Sequence, residues 1–437
     1  MDTKLMTTFA IITLAITGHT RAFSNSSAGF SLPLFTKHSP DRTIRRGADG
    51  FLYLQQSLIS ASEASAATAA TILLQNGQHA TEVHFGTGNG RRKLLLELDA
   101  TAPLTWIQCK PCNPVATQTG PIFDGELSPT FQHVDSSVCR PPFIPDPAIR
   151  RCLFRLKGHN GLEIKGLLSV DEYTREDGHV FPKFFFGCTH ETYNFHNLNT
   201  FAGILAYKRF ATQAAAHGMA RSSYCLFRET SRQGFLRFGA EADIPHKPRY
   251  QTTEILPAND DGDTHESEYE YHVSLASVSV GERRLAGVLP ETFARRESGE
   301  GGCIIDLGTP LTVLVEEAYR VVEEAVWSEL ARHGVARVVQ PGYGLCVRAT
   351  ETVKGRLPSM SLHFAGEDAT LVISPKQLFL MVDDERAGQV ACLAMVPGRR
   401  TVIGALQQVD TRFVFDLKDN KLSFAPESCI QDTVPVA

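Results

Sequence analysis

Two stretches about one domain length apart share one design: Leu96-Glu97-Leu98-Asp99-Ala100-Thr101-Ala102 and Cys303-Ile304-Ile305-Asp306-Leu307-Gly308-Thr309. Each brings an apolar strand to a stop on an aspartate. A lone aspartate in that place would signify only a turn, because carboxylates readily accept hydrogen bonds from nearby backbone N–H groups. Two of them at this spacing predict an internal repeat, a two-lobed chain carrying one carboxylate per lobe.

The rest of the chain is consistent with that plan. Its 437 residues suggest two or three folding units at roughly 150 residues each. With 43 Lys+Arg against 48 Asp+Glu and 43% hydrophobic residues, neither a disordered chain nor a basic nucleic-acid binder fits, so no nucleic-acid partner is expected. From Ala80 onward short apolar runs alternate with Gly, Pro and Asn, as in Lys93 to Leu98, Phe181 to Phe186, His272 to Val280, Leu371 to Ile373 and Thr401 to Ile403. These read as strands and turns of a mostly β protein. One helix is predicted from about Glu316 to His333, with Ala318, Val322, Ala325, Val326 and Leu330 on one face and Gly334 at its end. The acidic run Asp260, Asp261, Asp263, Glu266, Glu268 and Glu270 lacks the alternating ligand spacing of a calcium loop and reads as a solvated loop.

Residues 1–22, with Lys4, an apolar run from Leu5 to Ile16 and the small, polar stretch Thr17 to Ala22, read as a signal peptide. No later stretch approaches the ~20 apolar residues of a membrane span, so no integral membrane segment is expected, and secretion or vacuolar delivery follows. In an oxidising compartment the ten cysteines read chiefly as disulfide partners. Cys109-Lys110-Pro111-Cys112 has no second pair at metal-ligand spacing, and no metal site is expected. Residues 23–75 differ in texture, with a Ser/Ala-rich stretch from Ser57 to Ala70, and read as a propeptide-like leader; residues 76–245 and 246–437 are the expected N-terminal and C-terminal lobes.

Several further stretches carry a resemblance: Gly29-Phe30-Ser31-Leu32 with His38-Ser39-Pro40, Leu104 to Cys109, Phe186-Gly187-Cys188, Ser223-Tyr224-Cys225-Leu226, Leu236 to Gly239, Gly301 to Thr309, Leu362 to Gly366, Ile403-Gly404 and Phe424-Ala425-Pro426. With them the chain resembles the pepsin-like aspartic protease family, in its plant nepenthesin-like branch. The resemblance implies a bilobal, mostly β acid-protease fold with two related lobes flanking a substrate cleft. It also implies a monomer without cofactor, made as a zymogen, that cleaves peptide or protein substrates. Asp99 and Asp306 would be the catalytic pair. Two carboxylates about 3 Å apart share a proton and hold a water between them, so the peptide bond is hydrolysed by general acid-base chemistry. Thr101, through its backbone N–H, and Gly308 and Thr309 would support the pair. Trp106 would line the cleft beside a flap at Gly158, His159 and Asn160.

The departures are specific. The family motif is Asp-Thr-Gly-Ser in one lobe and Asp-Ser-Gly-Thr or Asp-Thr-Gly-Thr in the other. Ala100 and Leu307 lack the hydroxyls that grip across the lobes, Thr101 replaces glycine, and Ala102 lacks a hydroxyl that supports the first carboxylate. The flap tyrosine is replaced by Gly158, and with an unusual Cys303 and two cysteines of the branch missing, an odd pairing or a free thiol is expected. Two functions are therefore weighed: an aspartic-type endopeptidase, weakened by these changes, and a non-catalytic binding or inhibitor protein similar to the xylanase inhibitors of this fold.

Overall fold

Strand Arg92–Asp99 shows how the sequence builds the sheets. Leu94, Leu96 and Leu98 alternate inward and are buried, while Lys93 and Glu97 lie on the other face, where Lys93 pairs with Glu82 of the neighbouring strand at 2.6 Å. A slip of one residue would turn the three leucines to water, so the register is strongly held. The structure is a computed structural model that describes residues 29–37, 42–56, 78–157, 161–174, 180–195, 200–227, 233–242, 250–257, 266–296, 301–366, 369–384 and 386–429. The residues read as a signal peptide lie outside these, as do Gly158, His159 and Asn160 of the expected flap.

The internal repeat is present strand for strand. In the N-terminal lobe Gln78–Phe85, Arg92–Asp99, Gly203–Ala206, Trp106–Gln108 and Val180–Tyr193 lie side by side, paired antiparallel, parallel, antiparallel and parallel. In the C-terminal lobe Tyr271–Val273, Cys303–Ile305, Thr401–Ile403, Thr312–Val315 and Met395–Gly398 follow the same order with the same four pairings. The expected mostly β, bilobal architecture is thereby observed.

One sheet also joins the lobes. The late strand Thr411–Asp416 pairs antiparallel with Arg221–Cys225 of the first half, with Tyr224 opposite Phe413, and carries Lys421–Pro426 on its other edge. Among the described residues this sheet has 15 strands. Disulfide Cys225–Cys429 closes the junction, and Cys109–Cys188, Cys139–Cys152 and Cys346–Cys392 pair within lobes, leaving Cys112 and Cys303 as thiols.

The segment read as a leader is woven into both lobes where it is described. Strand Phe30–Lys37 sits between Gln233–Phe238 and Gln78–Phe85, with Phe30, Leu32 and Leu34 buried and Phe30 stacked on Phe238. The hairpin Arg42–Arg46 and Leu52–Gln56 lies on the C-terminal lobe, where Leu52 to Leu54 pair parallel with Leu380 to Val382. Arg46 meets Asp410 at 2.6 Å, and Lys354 Nζ reaches Asp49 at 3.0 Å and the Tyr53 hydroxyl at 2.8 Å.

The helix Glu316–Ala331 buries the predicted face, Ala318, Val322, Ala325, Val326 and Leu330, and Gly334 follows at φ 69°. One sequence expectation fails in part. Of the acidic run, Asp260, Asp261 and Asp263 lie outside the described residues, but Glu270 is buried rather than solvated. Arg400 lies 2.7 Å from its carboxylate, His272 lies 3.0 Å from it, and Lys208 of the other lobe donates to its carbonyl at 2.6 Å. Lobe packing removes water from that site, and the partnered cations offset the desolvation of the charge.

Candidate active site

Asp99 ends strand Arg92–Asp99 and lies in register with Ala206 on the parallel strand beside it. Asp306 follows Cys303–Ile305, and its N–H donates to Ile403 on the equivalent parallel strand at 3.1 Å. Each aspartate opens a turn that leads to Pro-Leu-Thr, at Pro103-Leu104-Thr105 and Pro310-Leu311-Thr312. The two threonines do the same work: Thr105 Oγ1 accepts the Ala206 N–H and Thr312 Oγ1 accepts the Gly404 N–H, both at 3.0 Å. A repeated local sequence thus becomes a repeated loop, and the repeat places the two carboxyls at equivalent points of the two lobes.

The carboxyls meet at the seam. The Ala100 N–H lies 3.4 Å from Asp306 Oδ1, across the lobes. Gly308 fills the gap: a Cβ there would stand 3.3 Å from Asp306 Oδ1 and 3.3 Å from the Asp99 carboxyl carbon. Both carboxyls therefore crowd one glycine.

Their surroundings differ. Asp99 is half-buried, and its Oδ1 accepts the N–H of Thr101 at 2.7 Å, the N–H of Ala102 at 3.0 Å and the Thr101 hydroxyl at 2.9 Å. Asp306 is 3% exposed; its Oδ1 accepts the Gly308 N–H at 2.8 Å, and its Oδ2 accepts the Thr309 hydroxyl at 2.5 Å. Burial, reinforced by the charge of Asp99, pushes the Asp306 carboxyl up to about 6, against the pull of Thr309, Gly308 and Ala100.

Ala100 and Leu307 are buried in one apolar cluster, so packing occupies the place of the hydroxyl grip. Trp106 is 1% exposed, within a cluster that includes Leu104, Phe154 and Leu168, and its ring meets Phe195 edge-on at 5.1 Å. Sequence reasoning missed Gln408, which is wholly buried. Its amide donates to the carbonyls of Asp306 at 2.9 Å and Ile403 at 2.7 Å, and its oxygen accepts the Tyr224 hydroxyl at 2.6 Å. The available signal was Gln407-Gln408, two amides closing an otherwise apolar run.

No group of three or more His, Cys, Asp or Glu among the described residues is placed to hold a metal. No helix among them is long and apolar enough to cross a membrane.

Two homologous lobes, each delivering an aspartate-led turn to a common seam, define a pepsin-like protein. The chain belongs to the pepsin-like plant aspartic protease family: the family description Xylanase inhibitor N-terminal matches residues 82–240, and Xylanase inhibitor C-terminal matches residues 270–426. Aspartyl protease family protein 2 of Arabidopsis thaliana is 29% identical over 373 residues, covering 82% of this chain and 72% of that protein. Aspartic proteinase nepenthesin-2 of Nepenthes gracilis is 25% identical over 405 residues, covering 89% and 85%. Among solved structures, basic 7S globulin from soybean superposes with a TM-score of 0.61 at 17% identity, covering 94% of this chain and 99% of that one, and edgp with 0.62 at 19%, covering 93% and 98%. These last two show the fold.

Proposed function

We propose that the protein is an aspartic-type endopeptidase made as a secreted or vacuolar precursor, with Asp99 and Asp306 as its catalytic pair. The observation that carries this reading is the meeting of both carboxyls around Gly308, each held by donors from its own turn. Asp306, buried and facing a second carboxyl, holds the shared proton and polarises the scissile carbonyl. Asp99, the more open of the two, takes a proton from the water that attacks. No covalent intermediate forms. Thr101, Gly308 and Thr309 keep the carboxyls in place, and Trp106 supports the wall of the cleft. Residues 23–75 act as the leader, with the lobes at 76–245 and 246–437.

The second reading, a non-catalytic binding or inhibitor protein, is favoured by one observation: apolar Ala100 and Leu307 occupy the seam where hydroxyls would orient the pair. The names of the two matching family descriptions agree with it. One experiment separates the two. The full chain is acidified and cleavage of a denatured protein is followed between about pH 2 and 6, with Asp99→Asn as control. Cleavage that depends on Asp99 supports the endopeptidase, and equal rates in both proteins leave the binding protein.

A further inference from the structure

Two of the departures around Asp99 compensate one another. Ala102 lacks the hydroxyl that the family turn carries there, and Thr101 adds one where that turn has glycine. The added hydroxyl lies 2.9 Å from Asp99 Oδ1. In the other lobe the hydroxyl of Thr309, three residues after its aspartate, lies 2.5 Å from Asp306 Oδ2. Each carboxyl thus keeps one hydroxyl donor, from the third residue in one lobe and from the second in the other.

We infer that Thr101 is the positioning residue for Asp99, its hydroxyl replacing, one step nearer the aspartate, the one that Ala102 lacks. This rests on the reading of Asp99 and Asp306 as a hydrolytic pair. The β-branched side chain restricts χ1, which holds the donor toward its acceptor, and a hydroxyl donating to a carboxylate is among the stronger hydrogen bonds. The relocation has a consequence. The Thr101 N–H, the Ala102 N–H and the Thr101 hydroxyl converge on one oxygen, Oδ1, whereas in Asp306 the donors divide between both oxygens. Asp99 Oδ2 is thereby left for water and substrate. The titratable group facing Asp99 is Asp306, and among the described residues a cation tied to this loop is Arg209, whose Nε donates to the Pro103 carbonyl at 3.2 Å.

The test compares Thr101→Ala, Thr101→Val, Thr101→Ser and the double variant Thr101→Ala/Ala102→Ser on a denatured protein substrate. Loss of the hydroxyl in Thr101→Ala and Thr101→Val lowers kcat about tenfold with KM little changed, and moves the acid limb of the rate profile up by about one pH unit, the size of one charge-assisted hydrogen bond. Thr101→Ser and the double variant recover most of the loss. Thr101→Ala keeps the test open if the bulkier valine prevents folding. An unmoved kcat and acid limb in a folded Thr101→Ala, or no recovery in both hydroxyl-bearing variants, overturns the inference. If the unaltered protein cleaves no faster than Asp99→Asn, the hydrolase reading fails, and the same variants are read by carbon NMR of labelled aspartate carboxyls. A rise of about one unit in the pair's lower titration on removing the hydroxyl, reversed in the double variant, still supports the hydroxyl's role. An unmoved titration ends it.

Discussion

Gly308 lies so close to Asp99 that a single added methyl would stand 3.3 Å from the Asp99 carboxyl carbon, although the two residues belong to different lobes. The contact ties the spacing of the carboxyl pair to one backbone position. It also separates the geometry of the site from the stability of the lobes, since Gly308 is only half-buried.

Gly308→Ala is expected to push the carboxyls apart by a few tenths of an ångström. Such a shift should lower kcat by roughly tenfold to a hundredfold, since small misplacements at a reacting centre are costly. Thermal unfolding should change little, by about 1 kcal/mol or less. Steady-state kinetics and calorimetry on the same variant check both halves.

The raised proton affinity of Asp306 makes stability depend on pH. Its folded carboxyl titrates above its unfolded one, so the contribution is whole below about pH 4 and fades as pH rises through about 6. The unaltered protein should lose on the order of 1–3 kcal/mol over that window relative to Asp306→Asn, which has no proton to release there. Urea unfolding at pH 3.5 and pH 7 measures the difference.

Gln408→Leu removes one amide that serves three partners. The Asp306 carbonyl and the Tyr224 hydroxyl would lose their partner inside the core, while the Ile403 carbonyl would keep the Asp306 N–H. A buried polar group left unpaired costs about 1–3 kcal/mol, so a loss of about 2–4 kcal/mol is expected. The same substitution should reduce cleavage, because the Asp306 carbonyl loses the amide that holds it and the backbone keeps only its N–H bond to Ile403. Denaturant melts and activity on the folded fraction test it.

The hairpin of the leader segment should stabilise the C-terminal lobe. Leu52 and Leu54 are almost wholly buried there, and Leu54→Ala is expected to cost about 2–4 kcal/mol. Limited proteolysis should then cut the 42–56 segment faster than in the unaltered chain. Unchanged stability and cleavage would show that the hairpin contributes nothing to the fold.

The sequence alone determined the features written in short-range chemistry. Alternating apolar residues called the strands, three- and four-residue spacing called the helix after Val315, and two copies of a strand ending on aspartate called the duplicated lobes. These signals are local, because a strand's two faces and a turn's acceptors are set by a few neighbouring residues. Tertiary structure alone decided what depends on distant segments brought together. It paired eight of the ten cysteines, buried Glu270 against Arg400, set Gln408 beneath Asp306 and laid the expected leader across both lobes. It also gave Thr101, expected to support the pair through its backbone N–H, a hydroxyl bond to Asp99. Proton affinity and hydrogen-bond partnership follow from what lies within a few ångströms in space, and for Asp306 those neighbours include Asp99 and Ala100 from the far half of the chain.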